Sequence, residues 1–389
     1  MNLGLRQSDS SLRTYLRVLI LLISSRLVVI LGLIFSARFL APSPLAAGEI
    51  SPPWYRYLLR WDAGWYLQIV DQGYSYNGDD SIQQSVGFQP LYPMVCKAVA
   101  FVFHIPNGIA LIVVANLLTL IAIPLFFKLV REEFGDTVAI CAVAALCFFP
   151  GAVFFTAGYA ESLALLLTVG VFLMLKRRRY FLAAVFTSLA LATRPNAIVL
   201  LLPLLFELWR SYAKDLRGLL KTGIPCLLLA TSGIWLHMIY LGFAFGHPLA
   251  FVTARRAWQG QASWRQFFEV ITLQPFRHLV DIWRDGPLPE TLAPWIFLVS
   301  VLLFLFFRKR LPASYALFTF GGLLLPYMMF SGNLGFAAFT RYLLMVFPIF
   351  VILGHIFQRR VALGIGVIGA FAALLFMHAA LFAQSYWAG

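Results

Sequence analysis

Residues 361–376 read VALGIGVIGAFAALLF, an apolar run without a single charge, and residues 163–175 read LALLLTVGVFLML, another of the same kind. A helix needs roughly 20 such residues to cross the hydrocarbon core of a bilayer. Runs of this type recur along the 389 residues, separated by short polar or basic segments. The chain is 61% hydrophobic and 12% charged, where a soluble domain carries about 25% charged residues. Most of its surface therefore faces something other than water. The fold class that follows is all-α, a polytopic membrane protein.

The hydrophobic pattern predicts eleven helices, at about 16–38, 107–130, 138–157, 160–176, 180–194, 196–211, 222–243, 291–307, 312–331, 341–358 and 361–382. The pair Arg194-Pro195 marks a break between the fifth and sixth, because proline disfavours helix at the residue before it. The basic start and the Ser-Pro-Leu-Ala-Ala at 43–47 imitate a signal peptide, but the first apolar stretch is long enough to span. It reads as a retained first helix, and residues 1–389 as a single transmembrane domain.

The net charge of +14 is not the mark of a nucleic-acid binder here, because its basic residues cluster in short segments between hydrophobic runs. Lys176-Arg177-Arg178-Arg179, Arg308-Lys309-Arg310 and Arg359-Arg360 are examples. Short loops rich in Lys and Arg stay cytoplasmic. That orientation puts the N-terminus inside and makes two long segments extracytoplasmic, residues 39–106 and 244–290. Both are rich in tryptophan and tyrosine beside charge, including Trp54, Trp61, Trp65, Trp258, Trp264 and Trp283. Such residues favour the headgroup layer. Pro53–Val70 reads as an amphipathic interfacial helix and Phe88–Phe103 as a second. The four cysteines, Cys96, Cys141, Cys147 and Cys226, show neither zinc nor disulfide spacing.

Acids are scarce, and most fall in the outer segments. Asp62 stands out, in Arg60-Trp61-Asp62-Ala63-Gly64-Trp65-Tyr66. Ala63 and Gly64 remove bulk beside the carboxylate, so a substrate could approach closely. A solvated acid paired with Arg56 or Arg60 explains the same residues, and the sequence pattern alone leaves both readings open. The neighbouring Asp79-Asp80 could hold a divalent cation, but an exposed loop accounts for them, and no metal site is predicted.

This stretch, with Gly73-Tyr74 after it, resembles the first-loop motif of the PIG-V type mannosyltransferases, members of the GT-C superfamily of polytopic glycosyltransferases. Phe88-Gln89-Pro90-Leu91-Tyr92-Pro93 resembles a second motif of that family. Tyr159-Ala160-Glu161-Ser162-Leu163, Thr193-Arg194-Pro195-Asn196, Gly246-His247-Pro248-Leu249-Ala250-Phe251 through Trp258, and Arg341-Tyr342-Leu343 are similar to four more. The matches follow the family's order from about residue 60 to residue 350.

The resemblance implies transfer of a sugar, mannose or a relative, from a polyprenyl-phosphate donor to an acceptor hydroxyl, with inversion. It makes Asp62 the candidate general base, and no cofactor is required beyond the lipid-phosphate sugar itself. A lipid phosphate leaves as an anion and needs positive charge and hydrogen-bond donors. Arg194 and Arg341, with Arg255 and Arg256, are the candidates for that charge, since arginine can bind phosphate through two parallel hydrogen bonds. Snorkelling to headgroups explains each of them equally well. Glu161 is a candidate for binding sugar hydroxyls or orienting an arginine. Arg60, Trp61, Gln89, Tyr92, His247 and Trp258 complete the candidate substrate site, by hydrogen bonding or by stacking.

The chain departs from the family pattern at Ala160, His247 and Arg255, where threonine, asparagine or aspartate, and glutamine are usual. These departures leave the sugar open. The expected partners are membrane lipids, the lipid-linked donor and a glycolipid or glycan acceptor, at a prokaryotic plasma membrane with the active site on its outer side. A lipid-sugar transporter or flippase is the rival reading. It would call for polar groups near the midplane and repeated halves, and the sequence shows no internal repeat.

Overall fold

A computed structural model describes residues 2–44, 53–259, 268, 272, 288–330, 336 and 338–386. Among these residues every regular element is helical. In chain order they are α1 (Asn2–Phe39), α2 (Asp62–Gln72), α3 (Leu91–Phe103), α4 (Asn107–Phe134), α5 (Asp136–Phe148), α6 (Glu161–Lys176), α7 (Tyr180–Leu191) and α8 (Leu201–Ser211). There follow α9 (Leu216–Phe245), α10 (Ala250–Thr253), α11 (Arg256–Gln259), α12 (Leu288–Phe307), α13 (Ala313–Phe330), α14 (Phe339–Leu343), α15 (Pro348–Arg359) and α16 (Val361–Ala383). Short 3-10 turns cover Trp54–Leu58, Pro150–Phe155 and Pro195–Leu200. Trp264, Trp283 and most of the second long loop lie outside the described residues.

Among the described residues, five helices are long and apolar enough to cross a bilayer: Leu12–Phe39, Asn107–Phe134, Leu216–Phe245, Leu292–Arg310 and Val361–Ala383. The shorter apolar helices α3, α5, α7 and α13 pack beside them. The outward face of α1 exposes Leu16, Ile20, Ile23, Leu27 and Ile34. A continuous apolar surface of this kind suits lipid.

Several expected helices are divided, and prolines explain where. The span expected over 138–157 stops at Phe148, and Phe149 turns to φ −53, ψ 141 ahead of Pro150. The expected break at Arg194-Pro195 is present, with Arg194 extended at φ −151, ψ 132. The helix expected over 341–358 is two helices, α14 and α15, and the second begins at Pro348. Proline has no N–H to donate back to the preceding turn. The single interfacial helix expected over 53–70 is a 3-10 turn followed by α2, with a sharp turn at Trp61 between them.

Pairs of helices approach closely where glycine removes the side chain. A Cβ at Gly354 of α15 would sit 2.6 Å from the Val138 carbonyl of α5, and one at Gly233 of α9 would sit 2.0 Å from the Ser188 carbonyl of α7. Small residues at crossings are how helices pack tightly in lipid. The resulting core is built from α4, α5, α6, α15 and the 3-10 turn Pro150–Phe155, with Phe126, Phe154, Phe155, Phe347 and Phe350 fully buried. That turn is irregular backbone at membrane depth, and it is surrounded by protein, where such backbone is tolerated.

Candidate active site

Two acids open two helices. Asp62 is the first residue of α2 and Glu161 the first of α6. A helix N-terminus carries partial positive charge, so each carboxylate is favoured there. The Tyr159 hydroxyl ties the two helix starts together. It donates to the Arg60 carbonyl at 3.0 Å and accepts from the Asp62 amide at 3.2 Å.

Arg341, on the short α14, lies between the two acids. Its Nη1 is 2.5 Å from Asp62 Oδ2, and its Nε is 3.4 Å from Glu161 Oε1. Arg194 Nη1 pairs with the same Glu161 oxygen. Tyr342 lies under both guanidinium groups, 5.0 Å from that of Arg194 and 5.4 Å from that of Arg341. Phe154 and Tyr159 face Arg341 at 5.6 and 5.5 Å. Guanidinium groups are attracted to such rings.

The result is a four-charge cluster, two acids and two arginines, with no net charge of its own. Arg194, Arg341 and Glu161 are buried, while the Asp62 side chain keeps 16% exposure. Of the two carboxylates, Asp62 is therefore the one that an incoming group can reach. A Cβ built on Gly64 would meet nothing within 4 Å, while Ala63 is fully buried.

Around the cluster, several buried polar atoms have no hydrogen-bond partner among the described residues. They include both amide atoms of Gln89, Glu161 Oε2, Asn196 Nδ2 and Thr340 Oγ1. Buried polar groups are normally satisfied by protein or by ordered water.

The aromatic rim consists of Trp65, Phe88 and Trp258. Trp65 stacks on Phe88 with ring centroids 6.1 Å apart, and Trp258 stands edge-on to both, 5.8 Å from each. This packing joins the first loop to the second. Arg255 reinforces the joint by donating from Nε and Nη2 to the Gly87 carbonyl, each at 3.2 Å. Burial lowers the pKa of Arg255 from its ordinary value. Burial pushes the Tyr66 phenol well above its usual range, so it is neutral beside the charges.

The other sequence candidates fall in different places. Asp62 pairs with Arg341, neither Arg56 nor Arg60 being the cation that sequence proximity suggests. Arg60 is buried, and its Nε donates to the Ala383 carbonyl at 3.1 Å. Trp61 Nε1 reaches the Tyr386 carbonyl at 3.4 Å. The Tyr92 hydroxyl donates to the Leu111 carbonyl at 2.8 Å in the core. Arg256 pairs with Asp80 at 3.1 Å on an exposed edge. His247 packs against Tyr76 at 5.8 Å, in a satellite cluster with Phe245. No group of three His, Cys, Asp or Glu side chains that could hold a metal occurs among the described residues.

Sequence reasoning passed over Arg26. It lies at the middle of α1 and donates from Nη1 to the Ala152 carbonyl at 3.1 Å and to Thr156 Oγ1 at 2.5 Å. The signal was available, because a charge inside an apolar span is costly and marks a structural or functional contact. Through these bonds α1 holds the 3-10 turn that carries Phe154 beneath Arg341.

With this geometry in view, residues 11–253 match the family model described as Mannosyltransferase (PIG-V). The chain belongs to the PIG-V mannosyltransferase family. The match takes in Asp62, Tyr159, Glu161 and Arg194, and ends before Arg255 and Arg341.

Among solved structures, this PIG-V family chain is similar to the oligosaccharyltransferase of Archaeoglobus fulgidus crystallised with Zn and sulfate, at 14% identity and a TM-score of 0.47, covering 93% of this chain and 53% of that one. It is also similar to ArnT from Cupriavidus metallidurans in the apo state, at 16% identity and a TM-score of 0.46, covering 94% and 76%. A third is the Archaeoglobus fulgidus oligosaccharyltransferase AglB in complex with an inhibitory peptide and a dolichol-phosphate, at 14% identity and a TM-score of 0.41, covering 94% and 56%. The chain thus spans about half the length of the oligosaccharyltransferase. No curated protein matches the sequence.

Proposed function

We propose that this chain transfers a mannosyl group, or a closely related sugar, from a polyprenyl-phosphate donor to an acceptor hydroxyl, with Asp62 as the general base. The observation that carries the reading is the Asp62–Arg341–Glu161–Arg194 cluster, in which an accessible carboxylate pairs with the buried Arg341 and Glu161 links that arginine to a second, Arg194.

The reaction balances as a single displacement. The acceptor oxygen gives its proton to Asp62 and bonds to the anomeric carbon from one side. The bond from that carbon to the phosphate oxygen breaks on the other, and its electron pair leaves on the lipid phosphate. One displacement inverts the anomeric carbon. It needs one base rather than the pair of carboxylates used in most glycoside hydrolysis.

Arg194 and Arg341 would meet the charge that develops on the phosphate, and fixed donors at a developing charge are a strong source of rate. The unpartnered atoms of Gln89, Asn196 and Glu161 would bind sugar hydroxyls. The acceptor is a glycolipid or glycan at the outer face of a prokaryotic plasma membrane, with the N-terminus cytoplasmic. No metal is required by this reading, so EDTA should leave turnover unchanged.

The test follows labelled mannose from polyprenyl-phosphate mannose into the total lipid of the source membrane. Asp62→Asn should lower turnover by about 10²–10⁴-fold, the usual contribution of a general base. Wild-type turnover in a correctly folded Asp62→Asn protein would remove Asp62 from the reaction. Translocation of the lipid-linked sugar by reconstituted protein, without a new glycosidic bond, would replace the transferase reading altogether.

A further inference from the structure

Trp61, immediately before Asp62, has φ 56 and ψ −123. The Ala63 amide donates to the Arg60 carbonyl at 3.2 Å, closing a turn around it. These are the dihedrals of the first central position of a type II′ turn, where glycine is the rule because a Cβ is strained there. A tryptophan holds such a conformation only when its surroundings fix it from several sides.

Three attachments do so. Tyr159, fully buried, bridges the two peptide units that flank Trp61, donating to the Arg60 carbonyl and accepting from the Asp62 amide. Arg60 Nε donates to the Ala383 carbonyl at 3.1 Å, at the end of α16. Trp61 Nε1 donates to the Tyr386 carbonyl at 3.4 Å. The segment 383–386 is itself anchored. Ser43 donates to the Gln384 carbonyl at 2.9 Å and to the Ser385 carbonyl at 3.1 Å, and Gln384 donates to the Ser36 carbonyl at 2.9 Å.

We infer that Tyr159 and the strap formed by residues 383–386 are positioning elements, which hold the strained turn at Trp61 so that the Asp62 carboxylate is aimed at Arg341. The inference rests on the reading of Asp62 as the base. Tyr159 acts on both members of the pair. Its hydroxyl fixes the Asp62 backbone, while its ring faces the Arg341 guanidinium at 5.5 Å. Without the attachments, the turn relaxes to ordinary dihedrals and the start of α2 rotates the carboxylate away.

Tyr159→Phe keeps the ring and removes both hydrogen bonds. In the mannose-transfer assay with polyprenyl-phosphate mannose it should lower kcat about 10–100-fold, the scale of a misplacement near 1 Å. The donor KM should stay within roughly twofold, since binding groups are untouched. Trp61→Gly removes both the strain and the link to Tyr386. It should raise or preserve the melting temperature in detergent, and because glycine keeps these dihedrals unaided it should bring kcat back to within about threefold of wild type when combined with Tyr159→Phe.

Wild-type kcat in Tyr159→Phe beside an inactive Asp62→Asn would overturn the positioning role and leave the base assignment standing. An active Asp62→Asn would instead overturn the base assignment. Should Tyr159→Phe fail to fold, the double variant with Trp61→Gly decides. A folded double variant with kcat near wild type sustains the positioning role, and one about tenfold or more below wild type overturns it.

Discussion

Arg341 Nη1 and Asp62 Oδ2 are 2.5 Å apart, although 279 positions separate them in the chain. The first stands on a five-residue helix and the second opens α2. Their pairing brings a late segment of the bundle onto the first long loop, and it supplies the nearest positive charge to the accessible acid.

Arg341→Met leaves Asp62 and Glu161 without that charge. Removing one partner of a buried pair costs about 3–5 kcal/mol. Replacing both, in Asp62→Asn with Arg341→Met, should cost less than the sum of the single changes. Unfolding in detergent across the four proteins measures the coupling, and strict additivity would show the pair to be energetically idle.

Gln89→Leu is expected to separate function from stability. The amide is buried without a partner among the described residues, and a buried unsatisfied polar group costs about 1–3 kcal/mol. The leucine should therefore melt at or above the wild-type temperature while the donor KM rises. An unchanged KM would place Gln89 outside the sugar site.

Tyr92→Phe should show the opposite pattern. Its hydroxyl serves the Leu111 carbonyl in the core, and such a bond contributes about 0.5–1.5 kcal/mol. A small loss of stability with wild-type turnover is the expected result. A selective fall in kcat would return Tyr92 to the site.

Gly233→Ala tests the packing of α9 on α7. The added Cβ would lie 2.0 Å from the Ser188 carbonyl and 2.9 Å from the Ala192 amide, both backbone atoms. Overpacking of this kind costs about 1–3 kcal/mol, and an unaltered melting temperature would mean that the two helices can separate freely.

Much of this was legible in the sequence, and the reasons are local. Apolar runs and the Arg194-Pro195 step are written in adjacent residues, so the helices and that break could be read directly. The division at Phe149-Pro150 and the start of α15 at Pro348 carry the same proline signal, submerged in apolar neighbours that favour a continuous span. Asp62 was visible as an acid followed by two small residues, but its partner was not. Arg56 and Arg60 are near in sequence, yet Arg60 is drawn to a backbone carbonyl and a residue from the far end of the bundle takes its place. The turn at Trp61 had no sequence signature, because tryptophan at a glycine-like position is imposed by contacts from Tyr159 and the segment after α16.

Arg26 has a consequence for how the protein is made. Its partners, the Ala152 carbonyl and Thr156, lie 126 and 130 residues later in the chain. At about 5–20 residues per second, translation takes roughly 6–25 s to reach them. Through that interval α1 is in or at the bilayer with a guanidinium near its midpoint and no protein acceptor yet made for it. Insertion scales set an arginine at that depth against a helix by about 2.5–3.5 kcal/mol, and the leucines, isoleucines and valines around it must outweigh this before the bundle exists. The apolar character of α1 thus serves the nascent chain as well as the finished one.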